Sequence, residues 1–501
     1  MNHPRTHAAA TPHKPAVIMS DGSGTLTYGE LEDRANRGAW LLRALGIVRG
    51  DTIAFFLPNC LEVFEVYWAG QRAGVYITPI SSALTGPEAA YILENSGAKL
   101  LISTPAVPGF ATLEPPLGCM VMTVEAWRAA LAAQPAGPIA DESPGIHMVY
   151  SSGTTGRPKG VRLPLPEGEV AASNHYVEIA QTHYGLCRDD IYLSPTPLYH
   201  TAPLVYTASV LRLGATAVVM PKFDALAALA AIEQHRITIT QMVPTMFVRM
   251  LKLPEAARLA ADVSSLRCVI HAAAPCPVEI KQQMLDWLGP IIHEYYGGSE
   301  SNGSTVITPK EWLEKPGSVG RAGWGSIHVC DENGDELPAG TQGIVYFEGG
   351  FDFQYLGDAE KTRDSRNPQH PSWSTLGDIG YLDEDGYLFL TDRRSFVIIS
   401  GGVNIYPQET ENLLITHPLV ADAAVIGVPH PEFGEEVRAV VQPLRPEDAT
   451  EAFARDLIAF CRTHLSPIKC PRSVDFDLAL PRLDNGKLYK RAIKDRYRQV
   501  P

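Results

Sequence analysis

Apolar positions near the start of the chain recur at helical spacing. Thr27 and Glu30 have the spacing of a capping box, in which each side chain bonds the other residue's backbone, and Gly46 follows the run. The apolar positions between them fall on one helix face: Leu31, Ala35, Ala39, Leu42 and Leu45. The pattern predicts an amphipathic helix between Thr27 and Gly46.

A strand, a helix and a second strand are predicted next. Residues 52–58 (TIAFFLP) and 75–80 (VYITPI) are short apolar runs typical of buried strands, and residues 61–74 between them have helical character. The order βαβ predicts a parallel sheet covered by helices. The same alternation continues at residues 214–221, 225–235, 237–244 and 266–273.

The pattern changes at residues 376–404, where alternating apolar and polar positions are interrupted by the turn sequences DEDG and SGG. This alternating pattern with turn sequences predicts antiparallel hairpins and a domain boundary between Asp392 and Ser395. Two helices and two strands are predicted beyond it, at residues 407–417, 421–428, 438–443 and 451–464. We therefore expect an α/β chain with an N-terminal domain over residues 1–392 and a small α+β domain over residues 393–501.

The composition is that of a globular protein. Of the 501 residues, 45% are hydrophobic and 20% are charged, which suffices for more than one large core. No apolar run reaches the roughly 18 residues needed to span a bilayer, and the first residues lack the apolar segment of a secretory signal. The eight scattered cysteines include no C-x-x-C motif and indicate neither a zinc site nor a disulfide framework. We expect a cytoplasmic protein with no integral membrane segment.

The charge of the chain is unevenly distributed. The formal net charge is -14, which argues against nucleic acid as a partner because phosphate backbones require a broad basic surface. From Glu451 onward there are 11 Lys and Arg against 6 Asp and Glu, a local balance of +5, so the preceding residues carry -19. A basic segment after an acidic body suits an anionic ligand held between them, and a solvated amphipathic surface explains it equally well.

The most informative segment is YSSGTTGRPKG, residues 150–160. Its glycines allow the backbone to approach a ligand, its hydroxyls supply donors and Lys159 adds a cation, which together are the parts of a triphosphate cradle. The segment is not the common P-loop, because no G-K-[S/T] follows a four-residue gap. A flexible linker is the alternative, but a linker does not require the ordered spacing G-x-x-G-x-P-K-G.

Five further motifs accompany this loop, in order: TLTYGEL (25–31), PLYH (197–200), YGGSE (296–300), GD (377–378) with Arg393 fifteen residues after the Asp, and PRLDNGK (481–487). With them the chain resembles the adenylate-forming (AMP-binding) superfamily, which includes acyl-CoA synthetases, coumarate and benzoate CoA ligases, firefly luciferase and peptide-synthetase adenylation domains. The resemblance covers nearly the whole length and favours the acyl- and aryl-CoA synthetase branch. It implies a large N-terminal domain of βα-layered subdomains with a small β-barrel-like part, and a small mobile C-terminal domain.

The resemblance also implies the ATP site. The residues that would hold the β- and γ-phosphates are Ser151, Ser152, Gly153, Thr154, Thr155 and Lys159. Those that would contact the rest of the nucleotide are Ser299 at the α-phosphate, Tyr296 and Ala274 at adenine with Gly297 beside them, and Asp378 and Arg393 at the ribose. Glu300 would hold Mg²⁺, and Lys487 would bridge the carboxylate and the α-phosphate.

Transfer to a thiol is implied by a second set of residues. In the family the small domain rotates about a hinge, here Ser395, and brings a glycine hairpin to the site, matched by Ser400, Gly401 and Gly402. The family often has Asp or Lys at the hinge position. An ordinary turn explains the glycines equally well. The resemblance also implies that His200 is the gate of the acyl pocket, and a histidine packed in the core is the alternative interpretation.

The acid pocket is expected to be apolar and uncharged. Its candidate residues, by motif position, are Thr201, Ala202, Ala272, Ala273, Tyr295, Gly298, Asn302 and Gly303. Such a lining suits an aromatic or a medium- to long-chain aliphatic acid, since burial of apolar groups supplies the binding energy.

The resemblance implies an ATP-dependent, AMP-forming carboxylic acid–CoA ligase that uses ATP, Mg²⁺ and CoA, and we expect a homodimer. An α-amino acid substrate is disfavoured because residues 200–210 contain no acidic side chain to pair with an ammonium group. Two alternatives stay open: an acyl-adenylate synthetase with a different acceptor, and a nucleotide-binding homologue without catalysis.

Overall fold

The first predicted helix forms where its capping signal places it. The computed structural model describes residues 2–151, 158–400, 402–482 and 487–498. The helix runs Tyr28–Ala44, with the Thr27 hydroxyl accepting from the Glu30 amide and the Glu30 carboxylate accepting from the Thr27 amide. Both bonds satisfy donors that a helix N-terminus leaves unpaired, so the capping-box prediction is confirmed.

Two sheets of mainly parallel strands form the body of the molecule. The larger sheet contains, in spatial order, Arg321–Trp324, Ser304–Ile307, Ile292–Gly297, Cys268–His271, Ile239–Met242, Ile191–Ser194, Thr216–Val219, Pro15–Met19 and Thr25–Thr27. Its six central strands are parallel, and antiparallel strands close both edges. The smaller sheet is all parallel: Met120–Thr123, Ala98–Ser103, Thr52–Phe56, Tyr76–Ile80 and Ile146–His147. The predicted parallel βαβ arrangement is confirmed.

Antiparallel strands form two further sheets, and the hairpin of Ser374–Leu382 with Leu388–Arg393 lies where the change of pattern near residue 376 predicted one. One sheet contains Ser326–Cys330, Gly343–Glu348, Ser374–Leu382 and Leu388–Arg393, and a second contains Gln354–Tyr355, Lys159–Arg162 and Val149–Ser151. The second sheet joins the segment after the phosphate-loop motif to a strand nearly 200 residues later. Because of this pairing, Lys159 lies close to the residues that follow Tyr355.

The C-terminal part builds its own sheet and core. Its strands are Val403–Ile405, Ile398–Ser400, Gly434–Pro443 and Val420–His430, with Ser473–Phe476 added in parallel to Gly434–Pro443. The predicted helices form as Pro407–Leu414 and Glu451–His464. The strand Ser473–Phe476 and the helix Lys490–Arg498 were not predicted.

Helices cover both faces of the parallel sheets. In the remaining described parts of the chain they are Pro4–Ala10, Leu61–Ala73, Gly86–Ser96, Val124–Ala132, His175–Tyr184, Thr201–Leu213, Ala225–His235, Pro244–Leu251, Glu255–Ala260, Val278–Leu288, Pro309–Glu314 and Ala359–Asp364. None of the helices in the described ranges has both the length and the apolar character needed to cross a bilayer. All eight cysteines are free thiols.

A charged group lies buried on the face of the large sheet that packs against the helix Val278–Leu288. Lys281 donates to Glu294 at 2.6 Å, and the His271 imidazole lies 3.3 Å from the same carboxylate. Burial alone would raise the pKa of Glu294, but His271 and Lys281 outweigh it and hold that pKa at about 2. Burial lowers the pKa of His271 itself, so we assign the neutralising charge to Lys281.

We expect Lys281→Met to lower stability by about 3–5 kcal/mol, because the Glu294 charge would be buried without its cation. The urea midpoint of unfolding measures the effect. Lys469→Met is the matched control, since Lys469 pairs with Glu409 on the surface at 2.6 Å and should shift the midpoint little. Equal shifts in the two variants would contradict the assignment.

Candidate functional site

A cavity of about 1320 Å³ lies at the carboxyl ends of the large sheet's parallel strands and extends to the C-terminal part of the chain. Ligands of open α/β sheets bind at this edge. Many of the sequence-predicted residues line it: Lys159, His200, Thr201, Ala202, Ala272, Ala273, Ala274, Tyr295, Tyr296, Gly297, Gly298, Ser299, Glu300, Gly303, Asp378, Arg393, Ser395 and Lys487. Residues separated by more than 300 positions therefore meet in one space.

The remaining predicted residues are placed differently. Ser151 ends the strand Val149–Ser151. Four of the residues predicted to hold the phosphates and one hairpin glycine lie outside the described residues: Ser152, Gly153, Thr154, Thr155 and Gly401. Gly402 is exposed, has a left-handed φ of 81°, and is not part of the cavity lining.

Asp378 and Arg393 face each other on neighbouring antiparallel strands. The register of Ser374–Leu382 against Leu388–Arg393 pairs the two residues directly. Arg393 Nε donates to Asp378 Oδ1 at 2.9 Å, and the Tyr296 hydroxyl donates to Asp378 Oδ2 at 2.6 Å. Asp378 is buried, with 6% of its surface exposed. The two charge-assisted hydrogen bonds fix the orientation of its carboxylate, and each carboxylate oxygen has a second lone pair that can accept a hydrogen bond from a ligand.

Glu300 is a buried carboxylate held in place by a tyrosine. The Tyr355 hydroxyl donates to Glu300 Oε1 at 2.8 Å. A side chain at Gly298 would lie 2.6 Å from Glu300 Oε2, so only glycine leaves that oxygen its position. In the described part of the chain no group of three or more His, Cys, Asp or Glu residues could hold a metal. A single carboxylate fits Mg²⁺, which is commonly bound by one or two carboxylates together with substrate phosphates and water.

Lys159 forms an ion pair with Asp358 across the small antiparallel sheet. Asp358 also accepts from the Lys361 amide at 2.9 Å and so caps the helix Ala359–Asp364. The hydrogen bond from Lys159 lowers the pKa of Asp358. Asp358 therefore fixes the position in the cavity of Lys159, the cation predicted to bind the phosphates.

Lys487 enters the cavity from the C-terminal part of the chain. Burial, and then the Arg393 guanidinium, lower the pKa of Lys487 to about 8, against Glu300 and Asp378, which act to raise it. Lys487 therefore lies among the charged groups predicted to surround the reaction centre. Of the hairpin residues that the structure describes, neither Ser400 nor Gly402 lines the cavity, whereas Lys487 does.

His200 precedes the helix Thr201–Leu213 at the wall of the cavity. Its Nε2 is buried and has no hydrogen-bond partner within the described ranges. Burial, with Lys487 nearby, lowers the pKa of His200 to about 3, so the ring is neutral. Beside it the Thr201 and Ser299 hydroxyls share a hydrogen bond of 2.7 Å.

Two predicted pocket residues contribute no side chain to the cavity. Asn302 is 1% exposed and donates to the Ser374 carbonyl and hydroxyl, each at 3.0 Å, so it joins two segments beneath the cavity. Gly303 lies at the cavity, but a side chain there would collide with Phe347 at 2.4 Å. A motif position fixes the place of a backbone, and only packing decides where its side chain points.

Backbone strain occurs at two residues that line the cavity. Ala273 has a φ of 75° and Ser301 a φ of 49°, two of only three non-glycine residues with positive φ in the described chain. Such conformations cost free energy for residues with a Cβ. Ser301 is held by a 2.8 Å hydrogen bond with the Tyr176 hydroxyl.

Sequence reasoning missed Tyr355, Asp358 and Gln241. Asp358 has the spacing of a helix N-cap, a local signal that could have located the helix but not the ion pair with Lys159. Tyr355 and Gln241 carry no local signal, because their roles arise from contacts with Glu300 and with the Tyr295 hydroxyl, which Gln241 reaches at 2.8 Å.

Comparisons with known proteins agree with this arrangement. The family model described as AMP-binding enzyme matches residues 4–353, and that of the AMP-binding enzyme C-terminal domain matches residues 409–487. A feruloyl-CoA synthase of Amycolatopsis sp is 34% identical over 510 residues, 99% of this chain and 98% of that protein. The long-chain-fatty-acid–CoA ligase FadD13 of Mycobacterium tuberculosis is 31% identical over 504 residues, covering 98% and 97%.

Among solved structures, ATP-bound MatB from Rhodopseudomonas palustris superposes with a TM-score of 0.84 at 28% identity, covering 100% of this chain and 99% of that one. The large N-terminal and small C-terminal domains are therefore both shared with that structure. The chain belongs to the AMP-binding enzyme family.

Proposed function

We propose that the protein is an AMP-forming carboxylic acid–CoA ligase, which joins an acid to ATP with loss of pyrophosphate and then transfers the acyl group to CoA with release of AMP. The observation that carries the proposal is the meeting of Lys487, Arg393, Asp378 and Glu300 in one cavity. Separately, each is an ordinary charged side chain. Together they provide cations and oriented oxygens where an adenylate forms.

The nucleotide is proposed to bind along the edge of the large sheet. The Asp378 carboxylate, oriented by Arg393 and the Tyr296 hydroxyl, would accept the ribose hydroxyls. The Tyr296 ring and Ala274 would enclose adenine, with the Gly297 backbone beside them. Ser299 would donate to the α-phosphate. Each role matches a group on the cavity wall.

The triphosphate tail is proposed to lie against the phosphate-loop motif and Lys159. Lys159 forms an ion pair with Asp358 in the structure. Bound phosphates would replace the Asp358 carboxylate as the anionic partner of Lys159. Mg²⁺ would be held by Glu300, and when bound it would neutralise phosphate charge as pyrophosphate leaves. Tyr355 orients the Glu300 carboxylate for this role through Glu300 Oε1.

Lys487 is proposed to act on the first half-reaction. Its ammonium group would lie between the acid's carboxylate and the α-phosphate, where negative charge accumulates as one oxygen attacks and another departs. For the second half-reaction, the domain of residues 393–501 would turn about Ser395 against that of residues 1–392. This motion would exchange Lys487 for the hairpin of Ser400, Gly401 and Gly402.

The acid is proposed to occupy the inner part of the cavity, with His200 at its entrance. Thr201, Ala202, Ala272 and Ala273 line this part, which suits an aromatic or a medium- to long-chain acid. The neutral His200 ring adds no charge to it.

We also propose a cytoplasmic location, which the eight free thiols favour, and a homodimer. The edge strand Met120–Thr123 supports the dimer because Met120 and Val121 expose their side chains there.

The function is tested by pyrophosphate release with ATP, Mg²⁺ and a panel of acids, with and without CoA. We expect acid-dependent release, and AMP and thioester formation that require CoA. Turnover indifferent to CoA would replace the ligase with an adenylate synthetase that uses another acceptor. No release with any acid would favour a nucleotide-binding protein without catalysis.

The pKa of Lys487 predicts a pH dependence. The ammonium form is present below about pH 8 and is lost above it, so kcat/KM for ATP in pyrophosphate release should fall as the pH rises through 8. Lys487→Ala should lower the rate by about 10²–10³ and remove this alkaline decline, because the titrating group is gone. An unchanged decline in Lys487→Ala would assign the titration to another group.

Glu300→Gln tests the metal site. We expect the Mg²⁺ concentration for half-maximal pyrophosphate release to rise by about tenfold or more, because the carboxylate ligand is replaced by a weaker neutral oxygen. Glu360→Gln is the control, since Glu360 also lines the cavity but is exposed at its rim. The same Mg²⁺ requirement in both variants would exclude Glu300 as the ligand.

A further inference from the structure

The loop that carries Lys487 is closed at its base by backbone pairing. Arg482 and Leu488 form an antiparallel bridge, and the Tyr489 amide donates to the Pro481 carbonyl at 2.8 Å. Lys487 directly precedes Leu488, so its backbone adjoins this base. The position of the Lys487 ammonium group therefore depends on what holds the residues on the two sides of the bridge.

An ion pair holds the side of the loop that precedes Lys487. The Arg482 guanidinium donates through Nε and Nη2 to the two carboxylate oxygens of Asp422, with a distance of 2.6 Å between Nη2 and Oδ1. A contact through two parallel hydrogen bonds fixes the angle of the side chain as well as its distance. Asp422 lies in the strand Val420–His430, and its Oδ1 also accepts from the Ala423 amide at 2.8 Å. Arg482 thus joins the loop to the sheet of the C-terminal part.

A second, buried ion pair holds the side of the loop that follows Lys487. Lys490 begins the helix Lys490–Arg498, and its ammonium group lies 2.8 Å from Glu411 Oε1. The two side chains are only 7% and 8% exposed. Glu411 belongs to the helix Pro407–Leu414, and its Oε1 also accepts from the Val425 amide at 2.6 Å. The segment after the loop is thereby joined to a second helix and to the sheet.

The strand that contacts Arg482 is also held against the N-terminal part of the chain. Lys252 follows the helix Pro244–Leu251, and its ammonium group donates to the Val420 carbonyl, two residues before Asp422. Lys252, Asp422 and Arg482 all line the cavity. The ion pair Arg482–Asp422 therefore fixes the loop relative to the cavity wall as well as to the C-terminal part.

Stability alone does not explain two ion pairs on either side of one lysine. A buried ion pair contributes little net free energy compared with an apolar pair of similar volume. A lysine side chain is long and flexible, so a fixed backbone is needed to bring its ammonium group to a defined point. Misplacement of a reacting group by about 1 Å can slow a reaction by about 10²-fold. Precise placement of Lys487 is therefore a role that both ion pairs can serve.

We propose that the ion pairs Arg482–Asp422 and Lys490–Glu411 position Lys487, by holding the two sides of its loop so that the ammonium group reaches the point where the adenylate forms. The inference rests on the proposed ligase function and adds four positioning residues to it. These residues act through Lys487. They therefore serve the first half-reaction, in which Lys487 takes part, and not the transfer to CoA.

The first test uses the double variant Glu411→Gln/Lys490→Met. It removes both charges, so neither is left buried without a partner, and the glutamine oxygen can still accept from the Val425 amide. With the acid that the wild type uses best, we expect pyrophosphate release to slow by about tenfold or more. Thioester formation from the corresponding synthetic acyl-adenylate and CoA should be retained. Asp422→Asn/Arg482→Met should give the same division between the two half-reactions.

The second test repeats both double substitutions in a Lys487→Ala background. Residues that act only through Lys487 should cause no further loss of pyrophosphate release there, because the effects of coupled residues are not additive. A pair that merely supports the fold would slow the reaction in either background.

Arg496→Met/Asp477→Asn is the matched control. Arg496 lies in the same helix as Lys490 and pairs with Asp477 at 2.6 Å on the surface, so both half-reactions should stay close to the wild-type rates. Losses shared by both half-reactions in both test variants, or an equal further loss in the Lys487→Ala background, overturn the positioning role and leave the ligase function standing. Absence of pyrophosphate release from the wild type with every acid overturns the ligase function itself.

Discussion

Two cations share one cavity, and their coexistence depends on the carboxylates beside them. Arg393 lowers the pKa of Lys487, while Asp378 and Glu300 raise it. Without those carboxylates, the approach of Lys487 would bring two like charges together in a partly dry space, where repulsion is strong. The position of the C-terminal part over the cavity therefore depends on an electrostatic balance that the N-terminal part supplies.

That balance is built by strand register. Asp378 and Arg393 are fifteen residues apart and meet because two antiparallel strands pair them directly. A shift of one residue would turn one side chain to the opposite face of the sheet. The ion pair Lys159–Asp358 depends in the same way on a small antiparallel sheet that joins distant segments. Sheet geometry, more than loop chemistry, positions the charges.

Local signals predicted much of the fold. The capping box of Tyr28–Ala44, the parallel βαβ units and the hairpins after residue 374 follow from periodicity and turn residues within a few positions of each other. The strand Ser473–Phe476 was missed because four residues have little pattern of their own, and this strand forms by pairing with Gly434–Pro443. Most of the site residues that the motifs predicted also line one cavity. They did not reveal that Tyr355 holds Glu300 or that Asn302 points to Ser374, since these are contacts between distant segments.

The left-handed conformations of Ala273 and Ser301 affect both the stability of the protein and the shape of its cavity. Glycine at either position would relieve a strain of about 1–3 kcal/mol and would also free the backbone to adopt many other conformations. A chain selected for stability alone would carry glycine there. Both residues line the cavity, so a Cβ at each restricts the backbone around it. Glycine substitutions that relieve the strain at these two positions are therefore expected to loosen the site and erode its selectivity.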